Sequence, residues 1–355
     1  MGDAELVGRR GLTRRAFVGG SAALAAAPAL LGGCSAEQSP GGTAAGDGRL
    51  SLTFLTILPP QSLTFAPELL ADAGGHFAAH GLDVAFETTR GSAQAVQLVL
   101  AGRAPLTRIS QIEGMRAAAN RGAPLLNVGM VFKGSTIRYV SHKTDPLLEP
   151  HDFVGKMIGI PSEGGSSELE LDLFLAASGV DRNSVRRQVV GLTPGVFNLV
   201  EQGRIAGYAV SVDTAMILER YQENAVVLNP GDYMRSGGQF YMTSQAGLAQ
   251  HREAIRRFLA AVHDALEFML ADEGFDRTLE ILRSKYSFDG LNDTEVAKAS
   301  LAEFRKVWTA EGRERLLLTL PERWTSGYRE LIDAGLAEPG KDPTEWFTNE
   351  LVERL

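Results

Sequence analysis

From residue 50 onward, short apolar runs alternate with stretches in which apolar side chains recur at helical spacing. Residues 52–58 (LTFLTIL) form a compact run with β-branched and aromatic side chains that ends at Pro59-Pro60, which predicts a buried strand closed by a turn. Helical periodicity follows over 65–80, then a second strand over 81–87, and a helix over 93–101 opened by Gly91-Ser92. Strands at 105–110 and 125–132 flank a helix at 111–120. Strands joined by helices of this length need crossover connections, so the pattern predicts a mainly parallel sheet.

The polar segment 143–150, with two prolines, breaks this rhythm, which then restarts. Strands are expected at 156–161, 185–191, 206–211 and 225–228, with helices at 168–178, 194–202 and 213–224. A strand at 240–243 returns the chain to the first unit. Beyond it the sequence reads as helical at 251–271, 276–284, 293–307, 311–318, 321–334 and 344–355. Amphipathic helices of this kind must cover an apolar surface, and the first lobe and cleft rim supply one. The expected fold class is α/β: two lobes, each a mixed, mainly parallel sheet flanked by helices, with a helical C-terminal tail. Lobe 1 would comprise 50–140 and 241–355, and lobe 2 would comprise 141–240, with hinge strands near 137–141 and 239–243.

The first residues have a different character. Thr13-Arg14-Arg15-Ala16-Phe17 precedes a weakly hydrophobic run rich in small residues, which ends in Leu31-Gly32-Gly33-Cys34. This resembles a twin-arginine export signal closed by a lipobox. The reading gives a signal peptide over 1–33, a lipid attachment point at Cys34, a Gly/Ala/Ser/Pro-rich tether over 34–49, and a location on the outer face of the cytoplasmic membrane. Cys34 is the only cysteine, so stability must come from a packed core rather than from disulfides. The chain carries a net charge of −8; residues 1–33 hold four arginines against Asp3 and Glu5, so the remainder stands at −10. That acidity argues against nucleic acid as a partner.

In a two-lobed α/β protein, ligands bind where loops and helix starts converge at the carboxyl ends of strands. That rule selects Thr56 and Gln61 after the first strand, Ser92 after the second, and Gln111 after the third. In the second lobe it selects Ser162, Gly164, Gly165, Ser166 and Ser167, and then Asp213. The run Ser162-Glu163-Gly164-Gly165-Ser166-Ser167 opens a helix with free N–H groups and two hydroxyls, a nest suited to an anion or a polar ring acceptor. The same hydroxyls could simply cap the helix, and Glu163 beside them could either oppose an anion or accept from a ligand amine. Asp213 could hold a ligand N–H or cap its own helix. No nucleophile elbow, phosphate loop or metalloprotease motif is present. His76 and His80 have the i, i+4 spacing of a metal pair but lack an evident third ligand, so neither metal nor cofactor is expected.

Four segments in order carry a family resemblance: AGGHFAAHGLDV (73–84), LVLAGRAP (98–105), DFVGKMIGI (152–160) and LVEQGRIAGY (199–208). Together they are similar to the solute-binding proteins of ABC importers, in the group that takes aliphatic sulfonates, taurine, nitrate and thiamine pyrimidines. The ending Phe347-Thr348-Asn349-Glu350-Leu351 looks like the closing segment of the thiamine-precursor and riboflavin-like subgroup. Leu58-Pro59-Pro60-Gln61-Ser62 stands where that subgroup has an aromatic loop, and Pro105 where the family has Asp. The resemblance implies the type II periplasmic-binding-protein fold, closure of the lobes on a small-molecule ligand, an ABC permease as partner, and a monomer. It implies a heteroaromatic nutrient such as a thiamine-pyrimidine precursor, or alternatively a sulfonate, taurine or nitrate. Pyrimidine synthases and desulfinases share the fold but rely on cysteines, and here the lone Cys34 lies in the lipobox. A sensor feeding a membrane kinase is the remaining alternative.

Overall fold

A computed structural model describes residues 48–355; the expected export signal, Cys34 and most of the expected tether lie outside the described residues. Lobe 1 begins with β1 (Leu50–Thr56), α1 (Ala66–Ala73), α2 (His76–Ala79), β2 (Leu82–Thr88), α3 (Ser92–Leu100), β3 (Leu106–Ser110), α4 (Gln111–Arg121) and β4 (Leu125–Phe132). The helix expected over 65–80 is interrupted at Gly74-Gly75, where Gly75 takes a φ of 75° that residues with a side chain rarely adopt. Lobe 2 holds β5 (Ile137–His142), β6 (Met157–Ile160), α5 (Ser166–Ala177), β7 (Arg186–Val189), α6 (Phe197–Glu201), β8 (Gly207–Ser211), α7 (Val212–Tyr221) and β9 (Ala225–Leu228). The chain then returns through β10 (Gln239–Ser244) to α8 (Gln245–Ala271), α9 (Asp276–Arg283), α10 (Asp289–Asn292), α11 (Thr294–Trp308) and α12 (Pro321–Asp333).

Each lobe is built on a five-stranded mixed sheet, in the orders β2-β1-β3-β10-β4 and β7-β6-β8-β5-β9. β1 runs parallel to β2 and β3, whereas β10 is antiparallel to β3 and β4. In the second sheet β6 is parallel to β7 and β8, and β5 is antiparallel to β8 and β9. One antiparallel strand per sheet is what a chain must have if it leaves a lobe and re-enters it from the other side. The crossovers run over 133–136 and 229–238, so the sequence boundaries at 140 and 240 fall inside β5 and β10.

Two of the expected tail helices do not form. Within 311–318 there is only a 3₁₀ turn at Arg313–Arg315, flanked by Gly312 at φ 104° and Leu317 at φ 61°. The last residues have a 3₁₀ turn at Pro343–Trp346 followed by turns. Both segments instead cover β4, an edge strand whose free backbone groups need partners. Met130 N–H donates to Leu317 O at 2.7 Å and Thr348 N–H to Asn127 O at 2.9 Å. Asn127 and Asn349 join the two segments through Thr319.

The lobe 1 core lies between the sheet and the helices α1 and α8. Phe54 stacks on Phe258 with centroids 5.1 Å apart, and each fully buried Phe or Leu contributes about 1.5–3 kcal/mol. Within this core Arg108 donates to Glu68 at 2.7 Å, and the Tyr241 hydroxyl donates to the same carboxylate at 2.8 Å. Burial pushes the Glu68 carboxyl up, with Arg108 opposing. Among the described residues no helix is long and apolar enough to cross a membrane.

Candidate functional site

The carboxyl ends of β1, β2, β3, β6 and β8 face one another between the lobes, and the helix starts that follow them meet directly. Ser166 is the first residue of α5, and its backbone N–H donates to Ser92 Oγ at 3.0 Å. The Ser166 hydroxyl donates to Glu113 Oε2 at 2.6 Å, and Ser110 N–H reaches the same hydroxyl at 3.4 Å. Ser92, Ser110 and Glu113 belong to lobe 1 and Ser166 to lobe 2, so these bonds span the cleft. Glu113 is buried, which raises its carboxyl pKa; the hydroxyls of Ser166 and Ser92 pull the other way.

A second crossing lies at the start of α7. Ser62 Oγ donates to Asp213 Oδ1 at 2.9 Å, and Leu63 N–H donates to Oδ2 at 3.0 Å. Beside it opens an interlobe cavity of about 380 Å³, lined by Gln61 and Ser62 of lobe 1, by Thr193 and Asp213 of lobe 2, and by Phe288 of the tail. A further cavity of about 320 Å³ lies between α3, α4 and the start of α5, with Glu113 and Gly164 on its wall.

The sequence-selected residues therefore separate into groups. Gln61, Ser92, Gly164, Ser166 and Asp213 lie at the interlobe contacts or cavities. Ser162 packs at the lobe boundary, where a Cβ on Gly91 would stand 2.8 Å from its Oγ and one on Gly165 would collide with it. A side chain at either position would force Ser162 to shift, and Gly91 also holds a φ of 127° that residues with a side chain rarely adopt. Gly164, at φ 66°, donates its N–H to Glu168 Oε2 at 2.5 Å. Ser167 is buried in the first turn of α5, and Glu163 is exposed. Thr56 is fully buried, with its hydroxyl 3.1 Å from that of Thr88, so it ties β1 to β2 and lines neither cavity. Gln111 is also buried: its side chain lies against Met115 and Gly327, and its Oε1 has no hydrogen-bond partner among the described residues.

Sequence reasoning missed Glu113 and Ser62. Glu113 reads as an ordinary acid in the first turn of a helix, and no local pattern marks it as crossing to another lobe. His80 Nε2 lies 2.7 Å from Asp264; among the described residues no group of three metal-ligating side chains forms.

Residues 62–273 match the family described as NMT1/THI5 like. The chain belongs to this family. A curated relative, the riboflavin-binding protein RibY of Chloroflexus aurantiacus, is 27% identical over 297 residues, covering 82% of this chain and 83% of that protein. Among solved structures, a protein from Bordetella bronchiseptica RB50 superposes with a TM-score of 0.69 at 20% identity, covering 86% of this chain and 96% of that one. The alkanesulfonate-binding protein SsuA of Xanthomonas axonopodis pv. citri, bound to MOPS, gives a TM-score of 0.64 at 15% identity, covering 84% of this chain and 98% of that one. These superpositions establish the fold as that of periplasmic binding proteins.

Proposed function

We propose that this family member is the solute-binding component of an ABC importer, closing two lobes on a small nutrient and presenting the closed form to a membrane permease. The observation that carries this reading is the interlobe site itself. Two lobes joined by two crossovers meet through side chains at strand ends, beside a cavity of about 380 Å³, within the usual range for small-molecule sites of roughly 300–1,000 Å³. The ligand contacts on this reading are Gln61, Ser62, Ser92, Glu113, Ser162, Asp213 and the turn from Gly164 to Ser167. Binding without turnover is part of the proposal, and the relatives named for binding riboflavin and alkanesulfonate support it. The protein would be exported, anchored by lipid on Cys34, and monomeric.

The ligand favoured is a heteroaromatic nutrient, a flavin or a thiamine-pyrimidine precursor. The riboflavin-binding relative supports this, as do Phe288, Leu192 and Ile217 on the cavity wall. A sulfonate or nitrate is the second reading, from the names of proteins that share the fold. Thermal-shift measurement with riboflavin, hydroxymethylpyrimidine, ethanesulfonate, taurine and nitrate tests both. A true ligand at a thousandfold excess over its dissociation constant stabilises by about 4 kcal/mol. Absence of any shift across the panel would remove support for the binding role.

A further inference from the structure

Building on the importer reading, we infer that the cleft selects an uncharged ligand that donates hydrogen bonds, with Glu113 and Asp213 as the discriminating acceptors, and that it turns oxoanions away. Three helices that point their starts into the cleft already carry an acid in the first turn: Glu113 in α4, Glu168 in α5 and Asp213 in α7. A helix start attracts an anion through its free N–H groups and the positive end of its dipole. Here those features are taken up from within. Gly164 N–H is held by Glu168, Ser166 N–H by Ser92, and Ser166 Oγ by Glu113. An oxoanion at the Gly-Gly-Ser-Ser turn would meet the Glu113 carboxylate in the position it would itself need to fill.

The charge of the larger cavity agrees. Its lining includes Asp213 and Asp289 and contains no Lys, Arg or His. The cations nearest Glu113 are Arg116 and Arg121, on its own helix; Arg116 is partly exposed and Arg121 exposed, on the wall of the smaller cavity. A sulfonate or nitrate entering the larger cavity would lose its hydration and find two carboxylates and no countercharge. A ring imide, amine or hydroxyl meets acceptors already buried and fixed in place. Each lobe contributes one such carboxylate, Glu113 on the wall of the smaller cavity and Asp213 on that of the larger, and each accepts a hydrogen bond from the opposite lobe.

Isothermal titration calorimetry decides this, using riboflavin and hydroxymethylpyrimidine as neutral donors and ethanesulfonate and nitrate as oxoanions. The expected result is that the wild-type protein binds a neutral probe and gives no binding heat with either oxoanion. Glu113→Gln and Asp213→Asn keep the shape but exchange half of the acceptor for a donor. Each should weaken the neutral probe about tenfold or more and lower the ratio of neutral to oxoanion affinity, with thermal melting confirming that the variants fold. Oxoanion binding by the wild-type protein overturns the inference and leaves the importer reading standing. Neutral binding that both substitutions leave unchanged also overturns it. Binding of neither set takes down the inference together with the importer reading.

Discussion

Glu170 shows how one buried side chain ties stability to pH. It lies in α5, with the Ser135 hydroxyl of the first crossover donating to its carboxylate. Burial raises its pKa to about 7, against the opposing pull of Ser135 and Arg138. An unfolded carboxyl titrates near 4.5, so between these values the folded protein holds a proton that the unfolded chain has released. Stability from this group is therefore fully present below about pH 4.5 and is lost as pH rises to about 7, by about 3 kcal/mol in all. Glu170→Gln retains an acceptor for Ser135 and removes the titration. Urea midpoints of wild type and variant from pH 5 to 8 should diverge, the variant gaining as pH rises. Parallel curves would show that Glu170 does not ionise in this window.

Among the elements, α12 sits where both crossovers meet. Arg323, Gly327 and Glu330 occupy one face of it. Arg323 donates to Lys133 O of the first crossover and, at 3.4 Å, to Arg235 O of the second. Glu330 accepts from Arg235 N–H at 2.9 Å and from Ser236 Oγ at 2.5 Å. Glycine inside a helix costs about 1 kcal/mol relative to alanine, and the reason for it here is space. A Cβ on Gly327 would collide with Gln111 Nε2 and come within 2.9 Å of Ser236 Oγ. Gly327→Val should destabilise by about 1–3 kcal/mol through overpacking, read from urea unfolding. A change within about 0.5 kcal/mol, the usual size for a surface substitution, would mean that α12 does not press on the crossovers.

On the scale of the whole molecule, the question is where the protein resides. The residues beyond 1–33 are acidic, with a net −10 after the +2 of residues 1–33 is subtracted from the chain's −8, and an acidic body has little electrostatic attraction to anionic lipid. On the proposed reading, membrane association would depend on a lipid attached to Cys34. Cys34→Ala, followed by cell fractionation, should move the protein from the membrane to the soluble exported fraction. A variant that stays with the membrane as the wild type does would remove the anchor from the account.

Periodicity and Gly/Pro punctuation act locally, so the alternation of strand and helix and the return strand are legible along the chain. The expected strands over 125–132 and 225–228 coincide with β4 and β9. The same punctuation also locates the loops at strand ends, including the turn from Ser162 to Ser167 and the start of α7. Which side chains meet there depends on contacts between segments far apart in the chain. Glu113 and Ser166 are 53 residues apart, and Ser62 and Asp213 are 151 apart. Thr56 and Gln111 stand at strand ends as expected, yet one is drawn to the neighbouring strand and the other lies under α12. The segments over 311–318 and 344–355 carry helical periodicity, but an edge strand with free backbone groups takes them as cover instead. Local pattern sets what each segment can form, whereas the partner each side chain finds depends on how two crossovers bring separate sheets face to face.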